Sequence, residues 1–298
     1  MGVLLAGTVL LFIIDSSERG VVDKTLFQIP EQEKIDHVVF ESPKGKIEIN
    51  YDGTRWLVNN QYEADRQLIK IFFATTLKTE AKRELPVSLR EKVSLEIKSK
   101  GTKVSFFAAD NLVKEYWVSG NDSHTETYFA LNNESPYVVV IPGYRAYVAS
   151  VFEMTVNDWR NKQIFNFNPQ NFKSLEVTFP SNPMEDFKIN FTGKLFEIEG
   201  VANLDTAQLN SYLDAVSFIA ADRIISPEKG KFDSLLQLTP FEKIVVKDIG
   251  GNEYPLTIYP FDRNSTMITG IAFENEVVQF VPQNLVAARK SRKDFVRK

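Results

Sequence analysis

Short runs of alternating hydrophobic and polar residues, each followed by a helical stripe, occur twice along the chain. The stretch "YDGTRWLVNNQYEADRQLIKIFFATT" (51–76) has this order, and so does "FTGKLFEIEGVANLDTAQLNSYLDAV" (191–216), 140 residues later. Alternation with a period of two predicts a half-buried strand, and hydrophobic residues at i, i+3, i+4 and i+7 predict a helix packed on one face. The pattern therefore predicts two similar modules.

Matching positions in the two stretches have the same predicted roles. Gly53 and Gly193 stand at a turn between strands, and Asp65 and Asp205 stand where a helix N-cap belongs. The helical stripes also correspond, with Ile69, Phe72, Phe73 and Thr76 matched by Leu209, Tyr212, Leu213 and Val216. Trp56 and Phe196 are predicted as core residues beneath these helices.

A looser similarity follows each helix. The segment "EKVSLEIKSKGTKVSFF" (91–107) resembles "EKIVVKDIGGNEYPLTIY" (242–259), and both are interpreted as hairpins. We therefore predict an α+β fold: a tandem duplication of an antiparallel-sheet module with one main packed helix per copy, preceded by a short N-terminal membrane helix. The predicted organisation is an anchor at 1–16, a first module at 30–155, a linker at 156–170, and a second module at 171–298 that ends in a basic helix.

The N-terminal segment "MGVLLAGTVLLFII" has 14 uncharged residues. As a helix it would be about 21 Å long, whereas the hydrocarbon core of a membrane is about 30 Å thick. It has neither a positive n-region nor a signal-peptidase site. One interpretation is a buried first strand or helix of the fold. We favour an uncleaved anchor whose true start lies upstream, with the body of the protein on the far side of the membrane.

Composition narrows the functional classes. The net charge of -4 lacks the basic footprint of nucleic-acid binding. The chain has no cysteine and only two histidines, His37 and His124, which excludes thiolate nucleophiles and cysteine-ligated metals. Nucleotide-binding, serine-hydrolase and zinc-protease motifs are absent from the sequence. We predict no catalytic residue, cofactor or metal site, and a hydrolase with an unrecognised site remains an alternative.

The pattern G-x-x-W-x-V at Gly53–Val58, followed by Ala64-Asp65 and a helix, is accompanied by "NDWRNKQIFNFNPQNFKSLEVTF" (157–179). Together these resemble the bacterial domain-of-unknown-function family 4340. The resemblance implies a protein of the bacterial inner membrane, with a single-pass N-terminal anchor and an extracytoplasmic body. It also implies an association with auxiliary parts of gliding-type ABC transporters, and it supplies no catalytic residue.

Two segments are candidate interfaces. In "NDWRNKQIF", Asp158, Trp159 and Arg160 could form an exposed recognition patch, because Trp and Arg are enriched at interface hot spots. The alternative is that Asp158 pairs with Arg160 while Trp159 wedges between the modules.

The tail "AARKSRKDFVRK" carries six basic residues, and its candidate interface residues are Arg289, Lys290, Arg292 and Lys293. A basic helix here could contact anionic lipid or an acidic partner. The alternative is a solvated terminal helix.

These observations favour a membrane-anchored accessory or scaffold protein without catalytic activity. Its expected partners are the membrane and, from the resemblance, ABC transporter subunits or a gliding-type envelope system. The alternative function is binding of a small ligand, of unknown identity, in the cleft between the two modules.

Overall fold

The chain forms two compact units, Met1–Arg160 and Asn161–Lys298. The structure is a computed structural model, and it describes residues 22–29, 31–132, 134–225, 231–261 and 265–297. Each unit is built on one large antiparallel sheet.

The described residues of the first unit form nine strands and three α-helices. The strands are β1 (His37–Ser42), β2 (Gly45–Tyr51), β3 (Trp56–Val58), β4 (Tyr62–Glu63), β5 (Glu80–Glu84), β6 (Thr102–Ala108), β7 (Asn111–Gly120), β8 (Thr127–Ala130) and β9 (Tyr137–Val140). The α-helices are α1 (Arg66–Lys78), α2 (Val87–Lys100) and α3 (Val156–Trp159), and 3-10 turns occur at Gln32–Lys34 and Val148–Phe152. The strand order in the sheet is β4-β3-β2-β1-β6-β7-β8-β9-β5.

The described part of the second unit contains eight strands and three α-helices. The strands are β10 (Phe172–Thr178), β11 (Phe187–Phe191), β12 (Phe196–Ile198), β13 (Arg223–Ile225), β14 (Glu242–Asp248), β15 (Glu253–Ile258), β16 (Ile268–Ala272) and β17 (Glu276–Phe280). The α-helices are α4 (Thr206–Ser217), α5 (Lys231–Leu236) and α6 (Pro282–Leu285), with 3-10 turns at Pro183–Glu185, Val286–Ala288 and Arg292–Phe295. The order β12-β11-β10-β14-β15-β16-β17-β13 repeats that of the first sheet without β4.

The two main helices begin as the sequence predicts. The Asp65 carboxylate accepts hydrogen bonds from the backbone N–H groups of Gln67 (2.8 Å) and Leu68 (3.0 Å) at the start of α1. Asp205 accepts from the corresponding N–H groups at the start of α4. These bonds satisfy donors that the first helical turn leaves free. On both helices the predicted stripe faces the core, where Phe72 and Tyr212 are fully buried.

Side chains of the first sheet alternate between two packed faces. Phe106, Tyr116 and Phe129 lie in the core beneath α1. Tyr128 and Val138 point to the other face and pack with Val93 and Ile97 of α2. A helix therefore covers part of each face of this sheet. Because successive side chains of β8 and β9 point to opposite faces, successive residues of these strands are both apolar.

The predicted fold class is wrong. The two large antiparallel sheets dominate, and the helical share is 26%. The first unit carries two long helices, α1 and α2, instead of one main helix. The predicted membrane helix and the anchor at 1–16 lie outside the described residues. Among the residues that are described, no helix is both long enough and apolar enough to cross a membrane.

The hairpin predicted at 91–107 explains part of this error. Val93, Leu95 and Ile97 alternate with polar residues and therefore look like a strand, but the segment is the C-terminal half of α2. Val93 and Ile97 are also four residues apart, so they lie on one face of a helix and are buried, whereas Leu95 is 63% exposed. The alternation of all three residues fits a strand and the spacing of Val93 and Ile97 also fits a helix, so the sequence alone does not decide between them.

The junction between α2 and β6 allows no side chain larger than that of glycine. The N–H of Gly101 donates to the carbonyl of Ile97 (2.9 Å). A Cβ atom on Gly101 would lie 2.4 Å from that carbonyl oxygen and 2.8 Å from the carbonyl oxygen of Val118. Both are backbone atoms, so no side-chain rotation relieves the overlap.

We therefore expect Gly101→Ala to lower the free energy of unfolding by about 1 to 3 kcal/mol, the usual cost of overpacking. Urea denaturation followed by circular dichroism measures the change. Ser99→Ala, at an exposed position of the same helix, is the control and should stay within about 0.5 kcal/mol of the parent. Equal midpoints for the two variants would contradict the tight junction.

Candidate functional site

A groove of about 650 Å³ lies between α1, the 3-10 turn Gln32–Lys34 and the turn that joins β2 to β3. The strand register creates one end of it, because Tyr51 at the end of β2 pairs directly with Trp56 at the start of β3. Helical spacing creates the long wall, since Ile69, Phe73 and Leu77 succeed one another at intervals of four residues along α1.

Three aromatic rings follow one another along the groove. The ring centroids of Tyr51 and Trp56 are 5.4 Å apart, and those of Trp56 and Phe73 are also 5.4 Å apart. Tyr51 is 44% exposed, and Trp56 and Phe73 are half-buried. The rings therefore pack against each other while part of their surface remains accessible from solvent.

Hydrogen bonds fix both ends of the groove. At one end, the Gln32 amide donates to the carbonyl of Phe73 (2.6 Å) and to the hydroxyl of Thr76 (3.0 Å), which holds the 3-10 turn against α1. At the other end, the Asp52 carboxylate accepts from the N–H groups of Thr54 and Arg55 (2.8 and 2.9 Å). The hydrogen bond from the N–H of Arg55, and after it the one from Thr54, hold the pKa of Asp52 below its ordinary value.

The lining of the groove suits binding to an apolar group. The lining contains two charged side chains, those of Glu33 and Lys70, and most of its other residues are aromatic or aliphatic. Pockets of this volume with apolar walls and a few polar groups are typical of binding sites. Within the described parts of the chain, no group of three or more His, Cys, Asp or Glu side chains is arranged to hold a metal ion.

A family model described as "Domain of unknown function (DUF4340)" matches residues 56–237. This range is more than half of the chain. The chain belongs to the DUF4340 family. No curated protein and no solved structure matches it. The region shared with DUF4340 begins at Trp56 in the groove, and it includes all of α1.

The first candidate interface of this DUF4340 protein lies inside the first unit. Trp159 is 1% exposed and packs on Phe40 and Phe72, with ring centroids 5.4 and 5.5 Å away. Arg160 is 4% exposed, and its guanidinium carbon lies 3.7 Å from the centroid of the Tyr62 ring. These two residues therefore do not provide the exposed patch that the sequence suggested.

Asp158 closes a capping box at the start of α3. Its carboxylate accepts from the N–H (2.8 Å) and the hydroxyl (2.6 Å) of Thr155, and the Thr155 hydroxyl accepts from the N–H of Asp158. The same arrangement occurs at the end of the second unit between Ser291 and Asp294. Both segments therefore have the pattern Ser/Thr-x-x-Asp-aromatic, which was not recognised from sequence because the two lie 136 residues apart instead of 140.

The basic tail contains short turns instead of the predicted helix. Arg292 donates to the carbonyl of Gly200 (2.8 Å), and Lys293 pairs with Glu185 (3.0 Å). The guanidinium carbon of Arg289 lies 4.4 Å from the centroid of the Phe241 ring. Lys290 is half-buried. Arg289, Arg292 and Lys293 therefore contact their own unit, while Arg289 and Lys293 remain exposed.

The groove itself was missed because its residues have the same periodicity as core residues. Trp56 was predicted as buried but is half-buried, as is Phe196 at the matching position. Trp56 and Phe73 belong to the strand and helix stripes that indicate a core. Leu77 continues the four-residue spacing of Ile69 and Phe73 along α1, but in the structure it is 45% exposed and lines the groove.

Proposed function

We propose that this DUF4340 protein is a non-catalytic accessory protein that binds an apolar segment of a partner protein in the groove of its first unit. The line of three partly accessible aromatic rings formed by Tyr51, Trp56 and Phe73 carries this proposal. Aromatic side chains offer large apolar contact areas at a small cost in conformational entropy, and they are enriched where proteins bind one another.

The partner and location are part of the same proposal. The family resemblance supports a subunit of an ABC transporter or of a gliding-type envelope system as the partner. It also supports attachment to the bacterial inner membrane through the N-terminal segment, with both units outside the cytoplasm. Membrane fractionation tests the attachment. The full-length protein should remain in the membrane fraction after a salt wash and should be released from it by detergent. Full-length protein that is soluble without detergent contradicts it.

Binding of a small ligand is the second candidate function. The volume of the groove, about 650 Å³, lies within the range of small-molecule pockets. Native mass spectrometry of the purified protein distinguishes the two candidates, because a retained small molecule would add a defined mass to the chain.

Co-purification tests the partner proposal directly. The protein is tagged at its C-terminus, solubilised from native membranes in mild detergent, and the proteins recovered with it are identified by mass spectrometry. Leu77→Lys places a charge in the groove wall near the end of α1, where a cation is compatible with the helix dipole. Ile71→Lys changes a 56% exposed residue of the same helix outside the groove lining and is the matched control.

The expected result is that Leu77→Lys reduces recovery of the partner by about tenfold, the effect of roughly 1.4 kcal/mol in binding. Ile71→Lys should recover as much partner as the parent protein. Equal recovery with both variants contradicts the groove as the docking site. Recovery of the protein alone, from a preparation that preserves other membrane complexes, contradicts the accessory role and favours the ligand.

A further inference from the structure

A second pocket, of about 440 Å³, lies on the opposite face of the first sheet from α1. Its walls are the C-terminal half of α2, strands β7 and β8, and the segment that follows β8. It shares no lining residue with the groove that contains Trp56. The residues used below are Ser94, Lys98, Trp117, Ala130, Asn132 and Glu134.

Strand register creates the space in this pocket. Trp117 of β7 is directly opposite Ala130 of β8 in the antiparallel ladder. Directly opposed side chains are neighbours on the same face of a sheet, so the small methyl group of Ala130 leaves the indole ring uncovered on that side. Ser94 and Lys98 are four residues apart on α2 and therefore lie on the same side of the helix, at the pocket.

Hydrogen bonds hold the Trp117 ring in place. Its Nε1–H donates to Oδ1 of Asn132 (3.3 Å), and Nδ2 of Asn132 donates to Oε1 of Glu115 (2.8 Å). The other carboxylate oxygen of Glu115 accepts from the hydroxyl of Ser105 (2.7 Å) and lies 3.7 Å from Nζ of Lys103. The chain of contacts joins β6, β7 and the segment that follows β8, so the ring is oriented before any ligand arrives.

The protonation state of Glu115 supports this arrangement. Burial alone would raise the pKa of the Glu115 carboxyl, but the hydrogen bonds from Asn132 and Ser105, together with Lys103, hold that pKa below its ordinary value. The carboxylate is thus ionised at neutral pH and accepts both hydrogen bonds, and the Asn132 amide keeps its carbonyl oxygen directed at the indole N–H.

The polar groups around the ring define the ligand. Lys98 and Glu134 carry opposite charges at the exposed rim, so neither an anion nor a cation is favoured over the other. Ser94 and Asn132 add a hydroxyl and an amide, which both donate and accept hydrogen bonds. A neutral molecule with many hydroxyl groups can form hydrogen bonds with these donors and acceptors. If it also has a flat face of C–H groups, that face can stack on the aromatic ring. We propose that this pocket binds a neutral saccharide, with the sugar ring stacked on Trp117.

Saturation-transfer difference NMR on the whole protein tests the proposal, with cellobiose, maltose and N,N′-diacetylchitobiose as probes. At least one of them should receive magnetisation, most strongly at the ring C–H protons that face the indole. Titration calorimetry then measures its affinity. Trp117→Ala should weaken binding by about tenfold or more, because it removes the stacking surface, while Trp117→Phe should keep part of the affinity.

Two further variants exclude an effect of misfolding. Lys98→Ala and Glu134→Ala change exposed residues and should weaken binding while leaving the unfolding midpoint unchanged.

Trp56→Ala alters the other groove and should leave saccharide binding intact, so failure of the partner proposal is distinguishable from failure of this one. Absence of a signal for all three probes overturns the proposal, as does binding that survives Trp117→Ala unchanged.

Discussion

Replacing Trp159 by alanine should lower the free energy of unfolding of the first unit by about 3 to 5 kcal/mol. The indole is 1% exposed and lies against Phe40 and Phe72 in the core beneath α1. Its removal leaves a cavity among aromatic rings that are fixed by their other contacts, so the core cannot collapse to fill the space. Urea denaturation followed by fluorescence of the other tryptophans measures the loss.

A milder substitution provides the control for this experiment. Phe295 occupies the matching place in the second unit, where it packs on Phe187 and Tyr212. Trp159→Phe should therefore cost clearly less than Trp159→Ala, because a phenyl ring fills most of the same space. If the alanine variant unfolds at the same urea concentration as the parent, Trp159 does not contribute to the core as its burial indicates.

Replacing Glu242 by glutamine should stabilise the second unit at pH 8 by about 3 kcal/mol. The Glu242 side chain is 0% exposed. Neither of its carboxylate oxygens accepts a hydrogen bond from a described residue. The nearby hydroxyl of Tyr212 also has no hydrogen-bond partner among the described residues. Burial raises the pKa of Glu242 to about 7, although the positive charge of Arg289 acts in the opposite direction.

The sign of the pH dependence follows from these values. The pKa of Glu242 is higher in the folded protein than its ordinary value of 4.5, so the folded state holds its proton while the unfolded state ionises. Stability from this group is fully present below about pH 4.5 and is lost as the pH rises to about 7. At 1.36 kcal/mol per unit of pKa the total is about 3 kcal/mol. The neutral amide of glutamine removes this loss.

Urea denaturation at pH 5 and pH 8 measures the effect. Glu242→Gln and the parent should differ little at pH 5 and clearly at pH 8, with the variant more stable. Glu197→Gln, at an exposed position of β12, should change neither value. A difference between Glu242→Gln and the parent that is the same at both pH values would show that Glu242 does not titrate in this range.

Periodicity predicted the elements of this chain better than it predicted their environment. The caps at Asp65 and Asp205 are confirmed, and so is the burial of the α1 and α4 stripes except at Phe73, which is half-buried. A helix packed on a sheet places its buried residues at a regular spacing, which the sequence alone reveals. The fold class was wrong in part because the alternation of Val93, Leu95 and Ile97 fits a strand, while the four-residue spacing of Val93 and Ile97 also fits a helix.

The sites were harder to predict for a physical reason. Trp117 and Ala130 define a pocket only because the strand register places them opposite each other, and register is not encoded in either strand alone. Glu242 begins a strand whose alternation shows nothing unusual, yet it is fully buried. Trp159 and Arg160 drew attention by residue type, but residue type does not distinguish a core residue from an interface residue.

The order of synthesis gives the segment Thr155–Trp159 a further role. The carbonyl of Trp159 accepts a hydrogen bond from the N–H of Asp65 (2.8 Å), the residue that caps α1, and Arg160 bridges to Ala64. In a nascent chain, α1 and most of the first sheet therefore leave the ribosome well before the residues that complete their core. The first unit should become protease-resistant only after residue 160 has emerged, while the second unit is still being translated.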